Sequence, residues 1–173
     1  RGGGINVQNS TVTIKNTIIA NNTATVRGGG IYNKHNITLT NVTISNNKAT
    51  NDTGGGIYTT SSSLSLVNCI LWNDSPNEID GTASVTYSDV QNGWAGAGNI
   101  DLNPLFEDLE GNDYHLKIES SCIGAGKSIE SSETDIDGNL ECDVWYIDPF
   151  NNDNNGTVVC NDDDETNDIH IPT

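Results

Sequence analysis

The sequence predicts an all-β chain: a right-handed parallel β-helix, or solenoid, with an irregular C-terminal cap and tail. Three observations predict it. Gly-Gly-Gly-Ile boxes recur at Gly2 to Ile5, Gly28 to Ile31 and Gly54 to Ile57, spaced 26 residues apart both times. A second motif recurs in step with them. Val12-Thr13-Ile14-Lys15-Asn16 lies over Ile37-Thr38-Leu39-Thr40-Asn41, and both lie over Leu64-Ser65-Leu66-Val67-Asn68. Apolar content is only 34%, low for a compact globule, so each copy must bury its apolar face by stacking on its neighbours. A β-sandwich would not need near-constant spacing with matching residues in register.

Each copy alternates with period two, which describes a short strand with one buried face. Val12, Ile37 and Leu64 form one apolar column and Ile14, Leu39 and Leu66 the next, with Thr13, Thr38 and Ser65 facing outward between them. A shorter fourth copy reads Val85-Thr86-Tyr87-Ser88-Asp89. It places Val85 in the first column, Tyr87 in the second and Asp89 beneath the asparagines. Ile18, Thr43 and Ile70, beside Ile19, Ile44 and Leu71, predict a further strand. Asn16, Asn41, Asn68 and Asp89 are then an inward structural ladder. Asn tolerates the left-handed backbone of a corner, and its amide can bond to the copies above and below. A second Asn column follows five positions later at Asn21, Asn46 and Asn73. Glycines supply the tightest corners. Residues 1–95 read as coils; residues 96–173 read as a cap and an acidic Asn/Asp-rich tail of the same structural unit.

The Gly-Gly-Gly-Ile boxes, followed by an Ile-Ser-Asn-Asn type turn, resemble the repeats of polymorphic outer-membrane-protein passengers. Those belong to the wider pectate-lyase-like right-handed β-helix superfamily, and the resemblance covers residues 1–75. The next stretch carries Asn68-Cys69-Ile70-Leu71-Trp72-Asn73, Tyr87-Ser88-Asp89-Val90-Gln91-Asn92-Gly93-Trp94, Asn103-Pro104-Leu105-Phe106, Asp113-Tyr114-His115-Leu116 and Ser121-Cys122-Ile123-Gly124-Ala125-Gly126. It is similar to the C-terminal coils and cap of large secreted microbial β-helix proteins. That resemblance implies extracellular or cell-surface display. It departs at Val144-Trp145-Tyr146-Ile147-Asp148, where that family closes on an Asp-Ile-Gly-Ala-Tyr-Glu-like strand, so the family's anchoring is not carried over.

The net charge of −17, from 24 acidic against 7 basic side chains, excludes nucleic acid as a partner, because phosphate binding needs clustered cations. No apolar run is long enough to insert into a membrane. Hard cations suit this charge, and calcium is the expected cofactor. Asn151, Asp153, Asn155 and Asp162 follow the spacing of a calcium loop around Gly156, and Asp135, Asp137 and Asn139 form a second candidate. Of the four cysteines, Cys122, Cys142 and Cys160 are expected to supply a disulfide whose pairing stays open. Cys69 aligns with Thr17 and Val42 on the wall, as a buried free thiol.

Seven Asn-x-Ser/Thr sequons occur. Asn9, Asn36 and Asn51 fall in loops or outward columns and are the expected N-glycan acceptors. Asn21 and Asn73 share the second Asn column, Asn155 sits inside the calcium-type loop, and Asn41 lies in the ladder and is expected to be bare.

The coils offer no strong base beside calcium-binding carboxylates and no positioned carboxyl pair, so lyase and glycosidase chemistry is not expected. His35, His115 and His170 lack ligand spacing, and His115 is expected to pack in its strand. Asp101, Asp108 and Asp113 are expected to cap turns. Tyr32 and Tyr58 share a column and form either a sugar platform or an outward aromatic ladder. The expected function is a non-catalytic extracellular structural module of a surface or fibre protein. Its uncapped first coil would take further coils of a longer precursor or a second copy, head to tail. The alternative is a carbohydrate-binding or polysaccharide-degrading β-helix.

Overall fold

A computed structural model describes residues 2–61, 63–127, 146–147 and 158–159. Its elements follow the predicted period. The first coil holds β1 (Ile5–Val7), β2 (Val12–Ala20) and β3 (Thr23–Ala24); the second holds β4 (Ile31–Asn33), β5 (Ile37–Ser45) and β6 (Lys48–Ala49). The third holds β7 (Ile57–Thr59), β8 (Leu64–Val67) and β9 (Ile70–Trp72), and the short fourth holds β10 (Ile79–Asp80), β11 (Ser84–Thr86) and β12 (Asp89–Val90). Strands pair only with their counterparts in adjacent coils, always in parallel. β1, β4, β7 and β10 make one sheet, β2, β5, β8, β9, β11 and β12 a second, and β3 and β6 a third. The fold is an all-β parallel solenoid.

The expected columns are observed. Val12 pairs with Ile37 and Ile14 with Leu39, then Ile37 with Leu64 and Leu39 with Leu66. Ile31, Ile37, Leu39, Ile44, Ile57, Leu64, Leu66 and Leu71 are all less than 2% exposed. Each contributes roughly 1.5–3 kcal/mol of transfer free energy. Val12 and Ile14, whose strand pairs along one edge among the described residues, are half-buried.

Left-handed residues turn the corners. Asn16, Asn41 and Asn68 have φ of 47°, 54° and 54°, and Asn21, Asn46 and Asn73 have 59°, 56° and 66°. The first glycine of each box does the same at the third corner. The second glycine answers to crowding: a Cβ on Gly29 would lie 2.4 Å from the carbonyl oxygen of Gly55.

The fourth copy corrects the expected alignment. Val85 pairs with Leu66 and Thr86 with Val67, while Asp89 pairs with Ile70. Tyr87, at φ 51°, therefore takes the corner over Asn68, and Asp89 opens the next strand instead of extending the ladder. A slip of two residues keeps every side chain on its face, so alternation alone cannot distinguish the two registers.

Residues 97–101 run along the fourth coil. Tyr87 N donates to Ala97 O at 2.8 Å and Val90 N to Ile100 O at 3.0 Å. An antiparallel hairpin of β13 (Phe106–Asp108) and β14 (Asp113–Leu116) follows. The compact unit runs to Lys127, with a second unit from Ser128 onward. Within the second unit, β15 (Tyr146–Ile147) pairs antiparallel with β16 (Val158–Val159).

Candidate functional site

The most specific chemistry of the coils lies inside them. The residue after each second-column asparagine, at Asn22, Asn47 and Asp74, turns into the interior. Asn22 Nδ2 donates to Asn47 Oδ1 at 3.0 Å, and Asn47 Nδ2 donates to Asp74 Oδ1 at 2.9 Å. Asp74 Oδ1 also accepts from the Asn47 backbone N at 2.6 Å. The third glycine of each box makes the room: a Cβ on Gly30 would lie 3.2 Å from Asn47 Cγ, and one on Gly56 would lie 2.5 Å from Asp74 Oδ2.

In the fourth coil that glycine is replaced by Glu78, since Ile79 pairs with Ile57. Glu78 is 4% exposed and Asp74 7%. Glu78 Oε1 accepts from Asp74 N at 3.1 Å. The remaining oxygens, Asp74 Oδ2 and Glu78 Oε2, are buried and meet no donor. Burial pushes both carboxyls above their ordinary range. Glu78 is the more strongly raised, because the Asp74 carboxylate adds to the desolvation.

One rung of the expected ladder is present at the first corner, between Asn16 and Asn41, and Asn68 and Asp89 bond elsewhere. Asn41 Nδ2 donates to Asn16 Oδ1 at 3.0 Å. Asn68 holds the peptide of Lys127 from both sides: its Nδ2 donates to Lys127 O and its Oδ1 accepts from Lys127 N, each at 2.8 Å. These corners are half-buried rather than inward. Asp89 instead accepts from the Cys122 thiol at 3.1 Å. Burial first, then the Asp89 charge, pushes that thiol up to about 12. Cys69 is buried and free, as expected; its thiol donates to Val67 O at 3.3 Å, and burial pushes it up to about 12. Cys122 is also a free thiol, while Cys142 and Cys160 lie outside the described residues.

On the outer wall, Tyr32 and Tyr58 stack with centroids 5.4 Å apart and planes 13° from parallel. Arg27 sits 4.8 Å over the Tyr58 ring, its Nη1 donates to the Tyr58 hydroxyl at 2.9 Å, and its Nε pairs with Asp52. Tyr32 is only 3% exposed. A sugar platform needs open ring faces, and these faces are stacked on each other and on a cation. The column is an aromatic ladder.

The sequons divide by environment. Asn9, Asn36 and Asn51 are exposed. Asn73 Nδ2 donates to Asn46 Oδ1 at 2.5 Å, and Asn21 Nδ2 to Asn112 Oδ1 at 2.5 Å and the Tyr114 hydroxyl at 3.1 Å. The nitrogen that would carry a glycan is thus engaged at both. Asn155 lies outside the described residues, as do both calcium candidates, Asn151, Asp153, Asn155 and Asp162 and Asp135, Asp137 and Asn139. Among the described residues no cluster of three or more His, Cys, Asp or Glu side chains is placed to hold a metal ion. The turn carboxylates are where they were expected. Asp101 accepts from Asn92 N, Asp108 from Glu110 N and Gly111 N, and Asp113 from His115 N. His115 does not pack: it is exposed, with Nδ1 2.5 Å from Asp113 Oδ1.

Residues 16–34 and 41–60 match the Chlamydia polymorphic membrane protein repeat. Each matched segment runs from a first-corner asparagine, through a second-corner asparagine and an interior ladder asparagine, to a glycine box and the strand after it. This part of the chain is similar to that repeat in the residues that turn and stack the coils. No curated protein and no solved structure matches the chain.

The interior ladder and its carboxyl terminus were not anticipated. The signal is a doublet in each coil, Asn21-Asn22, Asn46-Asn47 and Asn73-Asp74, whose first member forms the second Asn column and whose second member forms the interior ladder.

Proposed function

We propose that the chain is a non-catalytic structural segment of a surface protein, in which stacked coils display a regular outer wall and accept further coils on the open edge of the first. One observation carries the reading: the segments similar to the polymorphic membrane protein repeat are the ones whose asparagines and glycines bond coil to coil. Their side chains serve stacking, which leaves the outer wall for display. The close carboxyl pair of the coils is interior and faces no substrate, and this supports a structural role over a catalytic one.

β2 pairs with β5 along one edge, and no described strand pairs with the other. Ile18 and Val26 near it are 38% and 41% exposed. An unpaired parallel edge with apolar neighbours is a template for another strand. The strand comes either from flanking coils of the same protein or from a second copy, and a head-to-tail contact between copies is open-ended. N-glycans on Asn9, Asn36 and Asn51 would decorate the wall without touching the ladders.

Surface display is tested with antibody against the purified chain, applied to intact and to permeabilised cells of the source organism. Labelling of intact cells is expected; labelling only after permeabilisation contradicts the reading.

A further inference from the structure

The interior ladder has a direction, and the direction sets what must end it. Each amide donates one of its bonds to the ladder residue of the next coil, Asn22 to Asn47 and Asn47 to Asp74. Aspartate ends the series as a pure acceptor. It leaves one oxygen over, Asp74 Oδ2, and Glu78 leaves its counterpart, Glu78 Oε2; both are buried with no donor in reach.

Two carboxylates cannot both stay ionised in such a place. Among the described residues no other charged side chain acts on either. The groups shifting Asp74 are Glu78 and neutral Asn47, and those shifting Glu78 are Asp74 and the backbone of Asp74 and Asn73. Gly56 closes the remaining side, with no space for a side chain. A single proton between the two free oxygens satisfies both at once.

We propose that Asp74 and Glu78 share one proton, and that this proton is a pH-sensitive latch holding the fourth coil on the third. The Asp74–Glu78 turn leads from the third coil into the fourth, and Glu78 O accepts from Ile57 N of the third coil at 2.7 Å. Losing the proton places two charges in the interior at this joint, and the turn must open to hydrate them. The raised Glu78 carboxyl fixes the sign. Its contribution is full at acidic pH and is lost as pH rises from the ordinary Glu range through its elevated folded value.

The test compares the full chain with Glu78→Gln, whose amide supplies a permanent donor to Asp74 Oδ2. Thermal midpoints are recorded from pH 5 to pH 10. The wild-type midpoint is expected to fall by several degrees toward alkaline pH, and the E78Q midpoint to fall less, since every other titrating group is common to both. Parallel slopes would overturn the latch. Independently of stability, the wild-type chain at pH 7 is expected to show the infrared carbonyl band of a protonated carboxyl, lost in E78Q. Absence of that band in the wild type would overturn the shared proton even if the variant failed to fold.

Discussion

Asn47 Nδ2 donates to Asp74 Oδ1 across 2.9 Å, and this bond links the second coil to the third inside a core built mainly from Ile, Leu and Val. Asn47 also donates to Ile19 O at 2.8 Å and accepts from Asn22. One side chain thus ties three coils at an interior position that is 1% exposed. Apolar columns slide past one another with little penalty, but a buried amide has one register in which its donors and acceptor are met. The polar ladder therefore fixes the alignment of coils that hydrophobic burial stabilises.

Asn47→Ala removes these bonds and leaves Asn22 Nδ2 with one partner fewer. A loss of about 3 kcal/mol is expected, read from urea unfolding. Asn47→Asp is expected to be worse, and increasingly so above the carboxylate range, because it sets a second buried charge against Asp74.

The glycines separate into two classes. Gly29→Ala drives a Cβ to 2.4 Å from Gly55 O and 2.5 Å from Lys48 N, both backbone atoms of packed coils. It should prevent stacking, seen as loss of the β-sheet circular dichroism signal. Gly124→Ala meets nothing within 4 Å and costs only its left-handed conformation at φ 72°, about 1 kcal/mol.

Asn68→Ala frees the Lys127 peptide from both of its bonds. The Lys127 amide is expected to exchange with solvent faster than in the wild type while the core strands β5 and β8 keep their protection. Loss of protection throughout would show that the corner contributes to the fold rather than to docking this segment.

Expression in a host that N-glycosylates should give occupied Asn9, Asn36 and Asn51 and unoccupied Asn21, Asn41 and Asn73, by glycopeptide mass spectrometry. Occupancy at Asn21 would require its nitrogen to leave Asn112 and Tyr114.

Much of this was legible in the sequence because a solenoid writes its contacts as a period. The pairing of Ile14 with Leu39 and of Leu39 with Leu66, and the left-handed asparagines, follow from the repeat spacing. So does the buried thiol of Cys69, from its alignment with Val42. Legibility ended where the period did. The fourth coil is short, and the two-residue ambiguity placed Tyr87 and Asp89 wrongly. Glu78 reads as an ordinary acidic residue until Ile79 is paired with Ile57, which shows it standing where earlier coils have glycine. The Asn21 contact with the hairpin joins residues 91 apart in sequence, and no repeat announces it.

The most direct test of an open first coil is hydrogen exchange of the β2 amides, together with light scattering and electron microscopy, on the purified chain at rising concentration. Stacked coils predict end-to-end particles whose β2 amides become protected as they lengthen, and Ile18→Lys at the exposed edge is predicted to shorten them. Single particles at every concentration, with β2 amides already as protected as those of β5, would contradict an edge that accepts further coils.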